Sequence, residues 1–299
     1  MMITKMSQLI DLAKTKNKRK IAVAAAGDYD VLEALKNAQG YDIVEPVLVG
    51  IQSKIEQISK EIGYDISKLE IIDVEDRYEA SLHATQLIRD GHADLLMKGL
   101  VSTGVLLKAV VNKEHGLRTG SIISHVAIFE SPNYHKLLGL TDAAMNVAPT
   151  FEDKIGIINN AVKVFHLLGE TNPKVAVVGA VETVNQRMES TMHAATLSMM
   201  NKREQIKGCL IDGPLALDNA ISKKAAKVKN IHSDVAGDVD IVVAPDINGA
   251  NFLYKSLIFL GGANAAAVIM GAKVPIVLTS RADSEKIKFS SIALAAAIG

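Results

Sequence analysis

The chain of 299 residues carries 33 basic and 33 acidic side chains, eight histidines and a single cysteine. That length accommodates one large hydrophobic core or two modest ones, the balanced charge disfavours nucleic acid as a main partner, and one cysteine excludes an internal disulfide. No apolar run reaches membrane-spanning length without polar interruption and the start MMITKMSQLIDLAK carries no cleavage signal, so a cytoplasmic protein without a membrane partner is expected.

An amphipathic first helix leads into the basic run KTKNKRK (Lys14 to Lys20), where solvated charge is the plain meaning. Short apolar segments then read as strands at Ile21 to Ala26, Pro46 to Val49, Glu70 to Ile72, Leu95 to Lys98, Ile122 to Phe129, Val175 to Val178, Cys209 to Ile211, Ile241 to Ala244 and Ile276 to Leu278. Helical lengths fall at Tyr78 to Arg89, Thr103 to Val111, Glu152 to Leu168, Arg187 to Asn201, Asn248 to Leu260 and Asp283 to Ala297. The alternation predicts an α/β fold with mostly parallel strands, each helix covering one sheet face. No linker, repeat or low-complexity tract marks a domain boundary.

Gly27 follows a strand and precedes a helix, and Gly179 ends another strand, yet neither sits in a G-x-G-x-x-G pattern; both read as ordinary turns. The G-x-x-x-x-G-K-[ST] phosphate loop is absent. The histidines make no i, i+4 pair on a helix and have no cysteine cluster, so no metal site is expected. Cys209 lies in an apolar setting that marks it as packing rather than a nucleophile. On the helix Asn248 to Leu260, Asn251 and Lys255 share one face while Phe252, Leu253, Leu257 and Leu260 supply the packing face, and Gly261-Gly262 ends the helix.

The richest stretch is Val235 to Ser291. A buried strand hands over to Pro245-Asp-Ile-Asn-Gly-Ala-Asn, which sets two amides and a carboxylate at the strand end where open α/β sheets bind ligands. A later strand breaks into Thr279-Ser280-Arg281-Ala282-Asp283-Ser284, placing a hydroxyl, a guanidinium and a carboxylate within one turn at the start of the last helix. Such a turn suits an anionic, phosphate-bearing substrate.

Five segments carry a resemblance: MKGLVSTGVLLKAV (Met97 to Val110), TDAAMNVAP (Thr141 to Pro149), GPLALDNAI (Gly213 to Ile221), AGDVDIVVAPDINGANFLYKSLIFLGGA (Ala236 to Ala263) and TSRADS (Thr279 to Ser284). In that order they resemble the phosphate acetyl/butyryltransferase family. SHVAIFE (Ser124 to Glu130), DAAMN and SSIALA (Ser290 to Ala295) are more similar to its butyryl branch. The resemblance implies two αβα lobes similar to the isocitrate dehydrogenase fold, with residues 1–129 plus 269–299 in one lobe and 130–268 in the other. It further implies an interlobe cleft gathering Lys98, Thr103, His125, Asp142, Asn146, Asp246, Asn251 and Lys255 around substrate, with Ser280 and Arg281.

The implied reaction is acyl-CoA + phosphate = acyl phosphate + CoA, with coenzyme A as substrate, no tightly bound cofactor, a homodimer or larger assembly, and a functional link to an acyl kinase. Such chemistry needs a base for the thiol, an oxyanion donor and a cation on the phosphoryl group. Arg281 is assigned to the phosphate through its planar fork, and Ser280 to the oxyanion. A covalent acyl-serine is the lesser reading, since no G-x-S-x-G elbow surrounds Ser280. The acetyl branch has its carboxylate seven residues beyond the serine, where this chain has Ile287; Asp283 or Glu285 is the replacement base, with Asp283 the assigned one, and helix capping its competing role. Lys98, Lys108, Arg118 and Lys255 are candidates for the phosphates of coenzyme A.

Three other readings compete. They are an acetyl-preferring enzyme, a non-catalytic sensor of acyl-CoA on the same fold, and an NAD-dependent dehydrogenase on a related two-lobed fold; the last requires a nucleotide loop and metal-binding carboxylates that the sequence does not display.

Overall fold

A computed structural model describes residues 2–280 and 282–299. In chain order the elements are α1 (Ser7–Lys14), β1 (Arg19–Ala24), α2 (Tyr29–Gly40), β2 (Val44–Gly50), α3 (Gln52–Glu61), β3 (Glu70–Asp73), α4 (Arg77–Arg89), β4 (Leu95–Lys98), α5 (Thr103–Val110), β5 (Ser124–Glu130) and β6 (Leu138–Thr141). There follow α6 (Phe151–Leu167), β7 (Lys174–Val178), α7 (Glu189–Lys202), β8 (Leu210–Leu215), α8 (Leu217–Ile221), α9 (Lys223–Val228), β9 (Ile241–Val243), α10 (Ile247–Phe259), β10 (Asn264–Met270), β11 (Ile276–Val277) and α11 (Glu285–Ile298). The chain is α/β with mostly parallel strand pairing, as its alternating pattern predicts. Among the described residues no helix is long and apolar enough to cross a membrane.

The chain divides into two compact units: a first of Ser7–Ser121 with Ala266–Gly299, and a second of Ile122–Ala265 with the residues up to Met6. In the first unit the strands lie in the order β3, β2, β1, β4, β11, β10. All these pairs are parallel except β10 with β11. The strands β1 and β4 are buried along their shared length and, apart from Lys98 at its end, apolar on both faces, as parallel sheets covered by helices require. Helix α11 is buried nearly all round, at Ile287, Lys288 and Ser291 through Ile298, and packs on α1 and α2. Its buried Ser291 is satisfied: the hydroxyl donates to Ile287 O at 2.8 Å and accepts the Ala267 N–H at 2.9 Å.

In the second unit the order is β5, β6, β9, β7, β8. The β5–β6 pair is antiparallel and the others are parallel. Helix α6 starts at a capping box in which Thr150 and Asp153 each bond the other's backbone N–H, and its Ile157, Ile158, Ala161 and Phe165 are buried. Cys209 is 5% exposed and burial pushes its thiol up to about 11, in keeping with a packing role.

Several elements differ from the sequence expectation. The helix expected after Gly27 is α2, whereas the strands β6 and β10 were not anticipated, nor were α3, α8 and α9. The last helix starts at Glu285 rather than Asp283, because Ser284 is the N-cap and accepts from Ile287 N. On α10 the expected packing face is reversed in part: Ala250 and Tyr254 are buried, whereas Phe252 is 72% and Leu260 88% exposed.

Candidate active site

Strand β11 of the first unit delivers the chain to Thr279, which is buried, and Ser280, which is exposed. Among the described residues, three hydrogen bonds link Ser280 to Ala282 and Asp283. The Ser280 N–H donates to Asp283 Oδ2 at 2.7 Å, the Ala282 N–H donates to Ser280 Oγ at 3.2 Å, and the Asp283 N–H donates to Ser280 O at 3.2 Å. Asp283 is 4% exposed. Lys288, one turn into α11 and equally buried, donates to the Asp283 carbonyl and lies 3.3 Å from Asp30 Oδ2. Arg281, assigned to phosphate from the sequence, lies outside the described residues.

Of the other expected first-unit residues, Ile287, at the position where the resemblance implied a carboxylate, is buried in α11. Glu285 accepts a hydrogen bond from the Asn37 amide of α2. Lys98, a candidate for the phosphates of coenzyme A, is 6% exposed and its ammonium donates to Gly99 O at 3.3 Å and Val101 O at 3.4 Å. The reason is its place as the last residue of a wholly buried strand. Thr103 opens α5 directly after the N-cap Ser102. Lys108 stands over the Tyr78 ring at 4.7 Å, and Arg118 makes an antiparallel bridge with Ala272.

The second unit gathers His125, Asp142, Asn146 and Asn251 around the loop that follows β6. Asp142 accepts the backbone N–H groups of Ala144, Met145 and Asn146 at 3.0, 2.9 and 3.2 Å, and the Asn146 amide at 2.6 Å. Asn146 Nδ2 also donates to Ile123 O at 3.0 Å, and Asn251 Nδ2 donates to Ala143 O at 3.1 Å. This loop is therefore fastened to the residues before β5 on one side and to α10 on the other. His125 is 4% exposed on β5, its Nδ1 has no hydrogen-bond partner among the described residues, and its ring meets Tyr254 edge-on at 5.8 Å. Burial holds its pKa below the ordinary histidine value, against the opposing pull of Asp142. Asp246 caps α10 by accepting the Gly249 N–H at 3.0 Å, and Lys255 is exposed one turn beyond Asn251.

Sequence reasoning missed Lys154 and His193. Lys154 of α6 is 4% exposed, with Nζ 3.1 Å from His193 Nδ1 on α7. Both line a cavity of about 620 Å³ with Thr150, Phe151, Ser190 and Asp246 among its walls. The signal was present: Lys154 precedes Ile157, Ile158 and Ala161 at helical spacing, which places it on the apolar face.

The model of the phosphate acetyl/butaryl transferase family matches residues 4–80 and 74–296 of this chain. A phosphate butyryltransferase of Clostridium beijerinckii is 48% identical over 97% of this chain and 96% of its own length. A phosphate acetyltransferase of Thermotoga maritima is 47% identical over 97% of this chain and 98% of its own. Among solved structures, a branched-chain phosphotransacylase from Enterococcus faecalis superposes with a TM-score of 0.83 at 33% identity, covering 94% of this chain and 98% of its own.

Proposed function

This chain belongs to the phosphate acetyl/butaryl transferase family, and we propose that it catalyses the reversible reaction acyl-CoA + phosphate = acyl phosphate + CoA on short acyl groups, four-carbon or branched chains preferred. The observation that carries the reading is the near-full-length similarity to a phosphate butyryltransferase, at 48% identity. The preference for four carbons or a branch draws on SHVAIFE, DAAMN and SSIALA, and on the branched-chain phosphotransacylase among the solved relatives.

In the direction of thioester synthesis, the thiol of coenzyme A gives its proton to Asp283, and the thiolate attacks the carbonyl carbon of the acyl phosphate in a ternary complex. The tetrahedral oxyanion then collapses, the carbon–oxygen bond to phosphate breaks, and phosphate leaves with the bridging electron pair. Ser280 donates to the oxyanion, a contribution of about 3 kcal/mol for donors of this kind, and Arg281 holds two phosphoryl oxygens. The exposed serine and its closed turn support the assignment. Lys98, Thr103, His125, Asp142, Asn146, Asp246, Asn251 and Lys255 are assigned to substrate binding, several through the backbone they fasten rather than by contact. The proposal also divides the chain into domains at 1–129 plus 269–299 and 130–268, and places the enzyme in the cytoplasm as a homo-oligomer supplying an acyl kinase.

Coenzyme A-dependent release of phosphate from acetyl, butyryl and isobutyryl phosphate, read at the thiol, tests this. Turnover strongest on the four-carbon substrates and crippled in both Ser280→Ala and Arg281→Ala is expected; turnover strongest on acetyl phosphate transfers the chain to the acetyl reading. Ile287, buried where a carboxylate was expected, favours one further reading, an acyl-CoA sensor. No turnover with coenzyme A still bound would select it.

A further inference from the structure

The cavity beside Lys154 lies over the C-terminal ends of β6, β9 and β7, three adjacent and mutually parallel strands of the second unit. Its walls come from the segments that leave those strands: Ala148 to Phe151 after β6, Ala180 and Met188 to Ser190 after β7, and Pro245 with Asp246 after β9. Ligands of open α/β sheets bind at this edge.

Two features of the wall call for an anion. Lys154 is nine-tenths and more buried, yet among the described residues its one hydrogen-bond partner is the His193 ring at 3.1 Å and no carboxylate comes within 4.0 Å of it. A buried ammonium without a counter-ion is costly. Burial holds its pKa below the ordinary lysine value, with only partial compensation from Glu189 and Asp246. The Glu189 side chain is 86% exposed and the Asp246 carboxylate is occupied in capping its own helix. Secondly, α7 begins at the cavity wall without a side-chain cap, since Met188 occupies the N-cap position. The Thr191 N–H donates back to Met188 O at 2.9 Å, which leaves the N–H groups of Glu189 and Ser190 at the start of a 14-residue helix to face the cavity beside the lysine, with the hydroxyl of Ser190.

We infer that this cavity is a phosphate-recognising subsite, in which Lys154, oriented by His193, and the amino end of α7 take one phosphate group of a substrate. The inference rests on the proposed acyltransferase reading for its choice of ligands. Two sources share the chemistry: a phosphate of coenzyme A, and the inorganic or acyl phosphate that reacts with it.

Calorimetry of coenzyme A, 3′-dephospho-coenzyme A and inorganic phosphate against the full chain, Lys154→Met and Glu189→Lys decides the matter. Lys154→Met keeps the volume and removes the charge, and it should weaken one ligand class about tenfold or more, the scale of a lost charged hydrogen bond. Glu189→Lys, on an exposed side chain that leaves folding intact, should tighten the same class and decides alone if Lys154→Met does not fold. Weakening of coenzyme A but not of the dephospho form assigns the subsite to the 3′-phosphate; equal weakening of both, with inorganic phosphate unaffected, assigns it to the diphosphate; weakening of inorganic phosphate assigns it to the reacting group. If every ligand binds both variants within twofold of the unaltered chain, or none binds the unaltered chain, the subsite does not exist. Turnover with affinities independent of Lys154 leaves the acyltransferase standing and removes the subsite, whereas Lys154-dependent binding without turnover does the reverse.

Discussion

Asp283 accepts the backbone N–H of Ser280 at 2.7 Å, so the carboxylate assigned to proton transfer also fixes the backbone of the serine assigned to the oxyanion. The positioning role and the proposed proton transfer thus fall on one side chain, and substitution can separate them.

Asparagine at 283 keeps an oxygen that can accept the Ser280 N–H, but it cannot take a proton. If Asp283 is the base, Asp283→Asn should lower kcat about 100-fold or more, the usual yield of a general base, with thermal stability near that of the unaltered chain. Asp283→Ala should lose both activity and stability. Full turnover in Asp283→Asn, measured at the thiol, would restrict Asp283 to positioning.

Gly99 follows Lys98 where β4 ends, and a Cβ there would lie 2.2 Å from Ala25 O and 2.6 Å from Ala24 O. Backbone oxygens cannot step aside as a flexible side chain does, so Gly99→Ala must push the loop away from β1. A loss of about 1–3 kcal/mol is expected, read as a lowered denaturant midpoint at unchanged slope. An unchanged midpoint would mean that the β1 and β4 ends tolerate separation.

Much of the fold was legible where local pattern and burial agree. The run Leu95 to Lys98 reads as a buried strand and is one. Asn264–Met270 escaped notice because Ala265 to Ala267 favour a helix by propensity, and only its place in the sheet overrides that preference. Leu138–Thr141 is short and interrupted by Gly139, whose missing Cβ leaves room for the Phe165 ring, which such an atom would meet at 2.6 Å. At the candidate site, the turn Thr279 to Ser284 was visible as chemistry, but Lys288, which holds it from inside α11, reads in sequence as a solvated charge. Lys154 stands at helical spacing from Ile157, Ile158 and Ala161, so its burial was legible, but its pairing with His193 of another helix was not. A long cation on an apolar face reveals its role only when its partners, distant in sequence, are known.

Helix α10 exposes Phe252 and Phe259, at 72% and 65%, seven residues apart and so on one side of the helix. Aromatic side chains left in water on one stripe fit a contact between copies of this chain. Sedimentation should give a mass well above the 32.0 kDa of one chain, and Phe252→Glu with Phe259→Glu should return it toward that value. An unaltered chain already sedimenting at 32.0 kDa, or a double variant with unchanged mass, would place the oligomer contact elsewhere or remove it.

His125 gives the fold a one-sided dependence on pH. Its folded pKa lies below the ordinary value because burial disfavours the imidazolium, and Asp142 offsets this only in part. The unfolded chain titrates this histidine near pH 6.5, so below that pH the unfolded state binds the proton first and gains stability relative to the folded one. Stability contributed by the neutral ring is therefore fully present above about pH 6.5 and declines as pH falls toward the folded pKa. His193, also shifted down by burial and by Lys154, adds to the same decline. The free energy of unfolding, measured by denaturant titration at steps from about pH 7.5 to pH 5, should fall more steeply in the unaltered chain than in His125→Asn. Parallel curves for the two would show that the ring is protonated as readily in the folded chain as in the unfolded one, and would remove His125 as a source of the pH dependence.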